Sequence, residues 1–201
     1  GAAIACADYA LANGVAINIA GGTHHAFAEH GEGFCLLNDF AISSAYLLEK
    51  GLASKILILD LDVHQGNGTA TIFAKEERVF TFSMHCGANY PLHKEHSDRD
   101  IELPIGCEDA QYLEILNREL PRVLEEFEPD FVCYLSGVDI LATDKLGRLG
   151  MTQAGCKMRD KIVLSTLKAA NLPVSIAMGG GYSHHIKDIV EAHCNTYRLA
   201  Q

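Results

Sequence analysis

The sequence predicts an α/β domain: a mostly parallel sheet with helices packed on both faces. Three observations carry that expectation. Short unbroken apolar runs recur, the clearest being ILIL at 56–59, as strands buried on both faces require. Each run leads through a polar or Gly-rich turn into a stretch of helical character, the repeated strand–loop–helix order of a parallel sheet. The unusual polar residues fall where the runs end, and in such sheets sites form at the carboxyl ends of the strands.

Taken in order, residues 2–13 (AAIACADYALAN) read as a helix closed by Gly14. VAINI (15–19) reads as a buried strand running into Gly21, Gly22, Thr23, His24 and His25. A glycine loop, GEGFCLLND (31–39), carries an exposed-looking Phe34. Asn38 is placed to cap a helix through about Lys50, which Gly51 ends. After the 55–68 stretch comes a short helix near 69–76, then a strand at 79–84 that stops at His85. Residues 86–100 read as a long polar loop, a kind of segment that is usually functional, with His93 and His96 as solvated loop residues. IELPI (101–105) is a short strand whose Pro104 suggests a sheet edge or a strand end. Residues 108–126 form a helix with one charged, solvated face. DFVCYLSG (130–137) is a further buried strand, 152–170 a helix capped by Thr152, and PVSIAM (173–178) the last strand, followed by GGGY and a helix to about Cys194. Neither an internal repeat nor a linker interrupts the pattern, so one domain over 1–201 is expected.

Composition narrows the function. At 201 residues and 48% hydrophobic, the chain can bury a substantial core. No apolar run is long enough to span a bilayer. A net charge of −10 argues against a general nucleic-acid binder. Seven cysteines without a CxxC pair suit a reducing compartment, which points to the cytoplasm, and argue against a structural zinc knuckle.

The organising stretch is KILILDLDVHQGNG, 55–68. Asp60, Asp62 and His64 lie two apart, so in extended chain they point to one side. Two carboxylates and an imidazole converging there make a metal site or part of one. Gly66 and Gly68 read as a tight turn before the next helix. A bland alternative stands beside this reading, since an Asp at a strand end is often only a cap or loop anchor. Against it, His24 and His25 follow one strand, Asp139 another and Tyr182 a third, and packing does not explain that coincidence.

GGTHHA, GFCLLND, DLDVHQGNG, GVDILATDKLG and GGGY, in that order, resemble the zinc-dependent histone deacetylase superfamily, with its bacterial deacetylase-like and acetylpolyamine amidohydrolase members. The Gln in DVHQGNG looks most like the class IV branch. The resemblance runs from Gly1 to about His193 and implies the arginase/deacetylase-like fold. Because a helix pattern begins at Gly1 itself, the N-terminus is expected to be cut, without the family's N-terminal loop and its substrate-holding acidic residue.

By that resemblance Asp62, His64 and Asp139 would ligate the metal, leaving a position for water and the substrate carbonyl. His24 and His25 would be the acid–base pair, His25 the base, with Asp60 fixing His24 and the neutral Asn67 fixing His25. Tyr182 would donate to the oxyanion, the glycines before it allowing close approach. Gly33, Phe34, Tyr90 and Leu146 would line an acyl-lysine tunnel, although Phe34 and Leu146 could equally be plain core. The carbonyls of Asp60, Asp62, His64 and Met84 with the Ser83 hydroxyl resemble a structural potassium site; a second such site fits Phe73 and Val79 but meets Glu76 where a small hydroxyl residue is usual. Zinc suits one His and two Asp, and Fe(II) would bind as well.

The expected activity is removal of acetyl or longer acyl groups from lysine side chains of proteins or peptides. A deacetylase of small amines such as polyamines is one alternative. A metal-bound module without catalysis is another, opposed by the presence of both histidines and Tyr182. A two-manganese ureohydrolase would need more Asp and His ligands, and a nucleotide-binding domain would need GxGxxG spacing, which neither GGT nor GGGY supplies.

Overall fold

The computed structural model describes all 201 residues. It is a six-stranded, wholly parallel sheet with helices on both faces. In chain order the elements are α1 (Ala2–Asn13), β1 (Val15–Asn18), α2 (Asp39–Glu49), β2 (Ile56–Asp60), α3 (Asn67–Phe73), β3 (Val79–Cys86), β4 (Arg99–Leu103), α4 (Asp109–Phe127), β5 (Phe131–Leu135), α5 (Gln153–Ala169), β6 (Val174–Ala177) and α6 (Ile186–Leu199). The strand order is β1-β6-β5-β2-β3-β4.

The central strands bury both faces, as their unbroken apolar runs require. Ile56 and Ile58 meet α1, α2 and α3 on one side, through residues such as Ala10, Phe40 and Phe73. Leu57 and Leu59 face α4, α5 and α6 on the other, where Tyr112, Leu116, Leu120 and Val123 make the apolar stripe of α4. Capping follows the sequence: Asn38 accepts a hydrogen bond from the Ala41 amide and Thr152 from the Gly155 amide.

Several boundaries differ from expectation, each for a physical reason. β3 runs past Met84 to Cys86 because β4 gives it a partner, with Phe82 opposite Arg99 and Cys86 opposite Leu103. β4 starts at Arg99 and lies at the sheet edge, with Pro104 just beyond it. The helix expected at 69–76 begins at Asn67 and stops at Phe73, after which Glu76 turns to grip Arg78 with both carboxylate oxygens. α6 continues beyond Cys194 because its next turn is anchored, Thr196 donating to Asp160 at 2.6 Å and Arg198 to Glu191 at 2.7 Å.

Connections from β2 run outward through β3 to β4, and from β5 outward the other way to β6. The order therefore reverses between the neighbours β2 and β5. A crevice opens at such a switch point, at the carboxyl ends of the strands.

Candidate metal and acid–base site

Asp62 and His64 follow β2 and Asp139 follows β5, so the switch point brings them together. Alternation persists beyond the end of β2. Leu61 and Val63 continue the Leu57–Leu59 side into the core, while Asp62 and His64 line the crevice and Asp60 lies buried behind it against His24. The chain is held in this shape by its own carboxylates: the Asp62 amide donates to Asp60 at 3.1 Å and the His64 amide to Asp62 at 3.0 Å. Oδ2 of Asp62 accepts from the Gly180 amide at 2.8 Å, and Oδ1 of Asp139 from the Val63 amide at 3.0 Å.

One oxygen is left over. Oδ2 of Asp139 is buried and has no hydrogen-bond partner, although Nδ1 of His64 lies 3.2 Å away outside bonding geometry. The same His64 nitrogen lies 3.0 Å from Oδ1 of Asp62. One ligand atom from each of Asp62, His64 and Asp139 lies within 4.8 Å of the others. Burial and the neighbouring Asp62 push the Asp139 carboxyl up to about 7. Burial opposes the charge on His64, but the neighbouring carboxylates of Asp139 and Asp62 outweigh this and raise it to about 10. Crowded carboxylates, an orphaned oxygen and a converging imidazole fit a bound cation. The glycines leave no room for anything else: a Cβ on Gly180 would sit 2.0 Å from Asp139 Oδ2, and one on Gly137 would sit 2.3 Å from Asp62 Oδ2. Gly66 and Gly68 serve the same end, and the expected tight turn is made at Gly66, where the Asn67 amide donates to the Gln65 carbonyl at 2.9 Å. Gly68 lies inside α3, where a Cβ would meet the Ala26 carbonyl at 2.2 Å, and a Cβ on Gly66 would meet Asp60 at 2.4 Å.

Beside the cluster stand two histidines on the loop after β1, their rings 4.1 Å apart. Nδ1 of His24 pairs with Asp60 at 2.6 Å, and Nδ1 of His25 with Asn67 Oδ1 at 2.7 Å. Their different partners divide them. Burial works against charge on His24, but Asp60 and Asp62 overcome it and hold the pKa at about 9. Burial, then the charge on His24, push His25 down to about 3, with the Asn67 bond only partly opposing. Near neutral pH one ring is charged and the other is free to accept a proton.

A cavity of about 680 Å³ opens over these groups. Gly33, Phe34, Tyr90, Leu146 and Tyr182 line it, as do Asp62, His64, Asp139 and both histidines. The plain-core alternative fails for both residues it covered, since Phe34 is 91% exposed and Leu146 44%. Gly33 lies against His25, where a Cβ would sit 2.5 Å from the ring, and the Tyr90 ring meets His25 edge-on at 5.0 Å. Burial, then Asp62 and Asp139, raise the Tyr182 phenol to about 12, so it keeps its proton. Ser83 lies opposite Asp60 in the sheet, and its Oγ pairs with Nδ1 of His85 at 2.9 Å, next to the buried Met84. His93 and His96 are exposed, away from the cluster.

The pattern of the histone deacetylase domain matches residues 1–197. The chain belongs to the histone deacetylase domain family. An uncharacterized protein of Picosynechococcus is 50% identical over 100% of this chain, which spans 67% of that protein. Histone deacetylase 2 of Arabidopsis thaliana is 35% identical over 90% of the chain, and human histone deacetylase 1 is 32% identical over 92%; the chain spans 48% and 39% of their lengths. Among solved structures, the HDA15 HD domain superposes with a TM-score of 0.82 at 26% identity, covering 98% of this chain and 61% of that one.

Three residues of this histone deacetylase domain escaped sequence reasoning. Glu32 touches Asn67 and Tyr90. Asn89 ties the loop after β3 to the loop after β5, donating to the Leu146 carbonyl at 2.6 Å and accepting from the Arg148 amide at 3.0 Å. Arg159 is wholly buried beneath the cluster. Only Arg159 left a signal, as half of a charged pair on the otherwise apolar spacing of Cys156, Val163 and Leu167.

Proposed function

We propose that the chain is the catalytic domain of a metal-dependent amidohydrolase that removes acetyl or longer acyl groups from lysine side chains. The observation that carries this reading is the divided histidine pair, one ring bonded to the Asp60 carboxylate and the other to the Asn67 amide, beside a buried cluster of two carboxylates and an imidazole. A module that only binds a metal has no use for that division.

Asp62, His64 and Asp139 would hold the cation, zinc by the donor set, with Fe(II) as a competitor. When bound, it supplies a Lewis acid that polarises the acyl carbonyl and makes water more acidic. The chain's own residues do the rest. Gly33, Phe34, Tyr90 and Leu146 flank an aliphatic stem that carries the acyl group inward. The neutral His25 takes a proton from water as the water oxygen bonds to the acyl carbon. Tyr182 donates its hydroxyl to the carbonyl oxygen as negative charge gathers there. The C–N bond breaks, the amine nitrogen receives a proton from the histidine pair, and a carboxylate and a free amine leave. A structural potassium ion would sit among the carbonyls of Asp60, Asp62, His64 and Met84 and the Ser83 hydroxyl. We place the protein in the cytoplasm on the strength of its seven unpaired cysteines, two of them only half-buried. No helix is long and apolar enough to cross a membrane.

The test is the full-length, zinc-loaded protein assayed on acetyl-lysine peptides, longer acyl-lysine peptides and acetylated polyamines. Carboxylate release from the peptides is expected. Release from polyamines alone transfers the reading to a small-amine deacetylase. No turnover on any of them, with the cation bound, overturns the enzyme in favour of a binding module.

A further inference from the structure

None of the roles above uses Glu32. It sits at the base of a two-residue hairpin, its amide donating to the Cys35 carbonyl at 2.9 Å and its carbonyl accepting from the Cys35 amide at 2.7 Å. Gly33 and Phe34 form the tip at φ 51 and 66, the positive values such a tight turn demands. The backbone is thus pinned, and the carboxylate reaches inward. Its Oε1 accepts from Asn67 Nδ2 at 2.9 Å and from the Tyr90 hydroxyl, while Oε2 lies 3.6 Å from His30 Nε2. Asn67, only 3% exposed, spends its remaining side-chain atom on His25.

The two ends of an amide are not equivalent. An ionised carboxylate only accepts, so Asn67 must turn its NH2 toward Glu32. Its oxygen then faces Nδ1 of His25, that nitrogen must carry the hydrogen, and Nε2 keeps its lone pair. With the amide flipped, the NH2 would face Nδ1 and the hydrogen would move to Nε2, leaving no base. We infer that Glu32 is a positioning residue: it selects the Asn67 orientation and, through it, the His25 tautomer able to accept a proton. The inference rests on the reading of His25 as the base. It also accounts for an amide at 67, because Asp there would set two carboxylates against each other.

The test uses the full-length, zinc-loaded protein labelled with ¹⁵N-histidine, in which long-range ¹H–¹⁵N spectra show which ring nitrogen carries the hydrogen. The parent should show His25 protonated at Nδ1. Glu32→Leu frees the flip; the spectrum should shift toward Nε2–H and kcat fall roughly 10-fold or more, within the range a general base supplies, with KM little changed. Glu32→Gln retains an acceptor and should keep the Nδ1–H signal and kcat within about 3-fold, as an orientational role requires. Asn67→Asp has no amide to misorient, so adding it to Glu32→Leu should restore both signal and turnover. Asn67→Asp alone, facing Glu32, should be worse than that double variant. A Glu32→Leu protein that keeps the Nδ1–H signal overturns the inference. So does a Glu32→Gln as damaged as Glu32→Leu, or a double variant no better than the single. If the tautomer responds as expected but His25→Ala leaves turnover intact, the positioning stands and the assignment of His25 as base falls.

Discussion

Tyr182 is the single side chain on which the enzyme reading turns most sharply. Its hydroxyl holds its proton near neutral pH, because burial and then Asp62 and Asp139 raise the phenol to about 12. A donor to a developing oxyanion matters more in the transition state than in the ground state. Tyr182→Phe keeps the ring and should cost about 10²- to 10³-fold in kcat, the usual loss for one such donor. Bound metal and melting temperature, measured on the same preparation, should stay put, because Tyr182 belongs neither to the ligand cluster nor to the core. A lowered melting temperature with unchanged kcat would mean a packing residue. His193 gives a prediction about pH. It is buried with Nδ1 unpartnered, and burial, then Arg159, push its pKa from 6.5 down to about 4. A depressed histidine pKa means that the unfolded chain binds the extra proton first. The stability it contributes is whole above pH 6.5 and is lost as pH falls toward 4. His193→Gln should flatten the decline in unfolding free energy across that window, by roughly 3 kcal/mol at its acid end. An unchanged slope would count against a neutral buried ring.

At the scale of elements, α5 supports the site from below. Arg159 donates to the Gly137 carbonyl at 2.6 Å, the Ser136 carbonyl at 3.1 Å and the Leu61 carbonyl at 3.3 Å, spanning the ends of both β2 and β5. It also pairs with Asp160 at 2.8 Å, whose carboxylate in turn receives the Tyr134 and Thr196 hydroxyls, each at 2.6 Å. One helix thereby fixes the spacing between the two loops that carry the cluster. Arg159→Met fills similar volume but leaves the Asp160 charge without its cation and the three carbonyls without a donor. Breaking one side of a buried pair costs on the order of 3–5 kcal/mol, so the melting temperature should drop sharply. Metal affinity, measured by chelator competition, should weaken with it. Unaltered affinity in a protein that still folds would show that the loops keep their spacing without α5.

For the molecule as a whole, the cation is expected to act as a structural clasp between the two halves of the sheet. Asp62 and Asp139, on opposite sides of the switch point, are 2% and 0% exposed, and Asp139 Oδ2 has no hydrogen-bond partner. Chelation should therefore lower the melting temperature, and free zinc at a thousandfold excess over Kd should restore it, adding about 4 kcal/mol of stability. Asp139→Ala should abolish the shift, since two ligands hold a divalent ion poorly. Elemental analysis should find one transition metal per chain. Two equivalents of manganese would point to ureohydrolase chemistry instead.

Much of this was legible in the residues. Unbroken apolar runs and the strand–loop–helix order were enough for a parallel sheet, because a strand covered on both faces has no solvent side to alternate with. Asp60, Asp62 and His64 declared their common direction through a spacing of two, and Asn38 and Thr152 declared helix starts through local hydrogen bonding. Such signals are short-range, carried by neighbours in the chain. Strand order was not among them, and the point where β4 begins and the last turn of α6 depend on partners far away in sequence. Glu32, Asn89 and Arg159 stayed hidden for the same reason. Glu32 meets Asn67 and Tyr90 across separations of 35 and 58 residues, and Arg159 reaches Leu61 across 98. The sequence by itself determined which groups could do chemistry and at which strand ends they stand. Only the tertiary structure decided which of them meet and which way the Asn67 amide faces, since those are properties of contacts between distant segments.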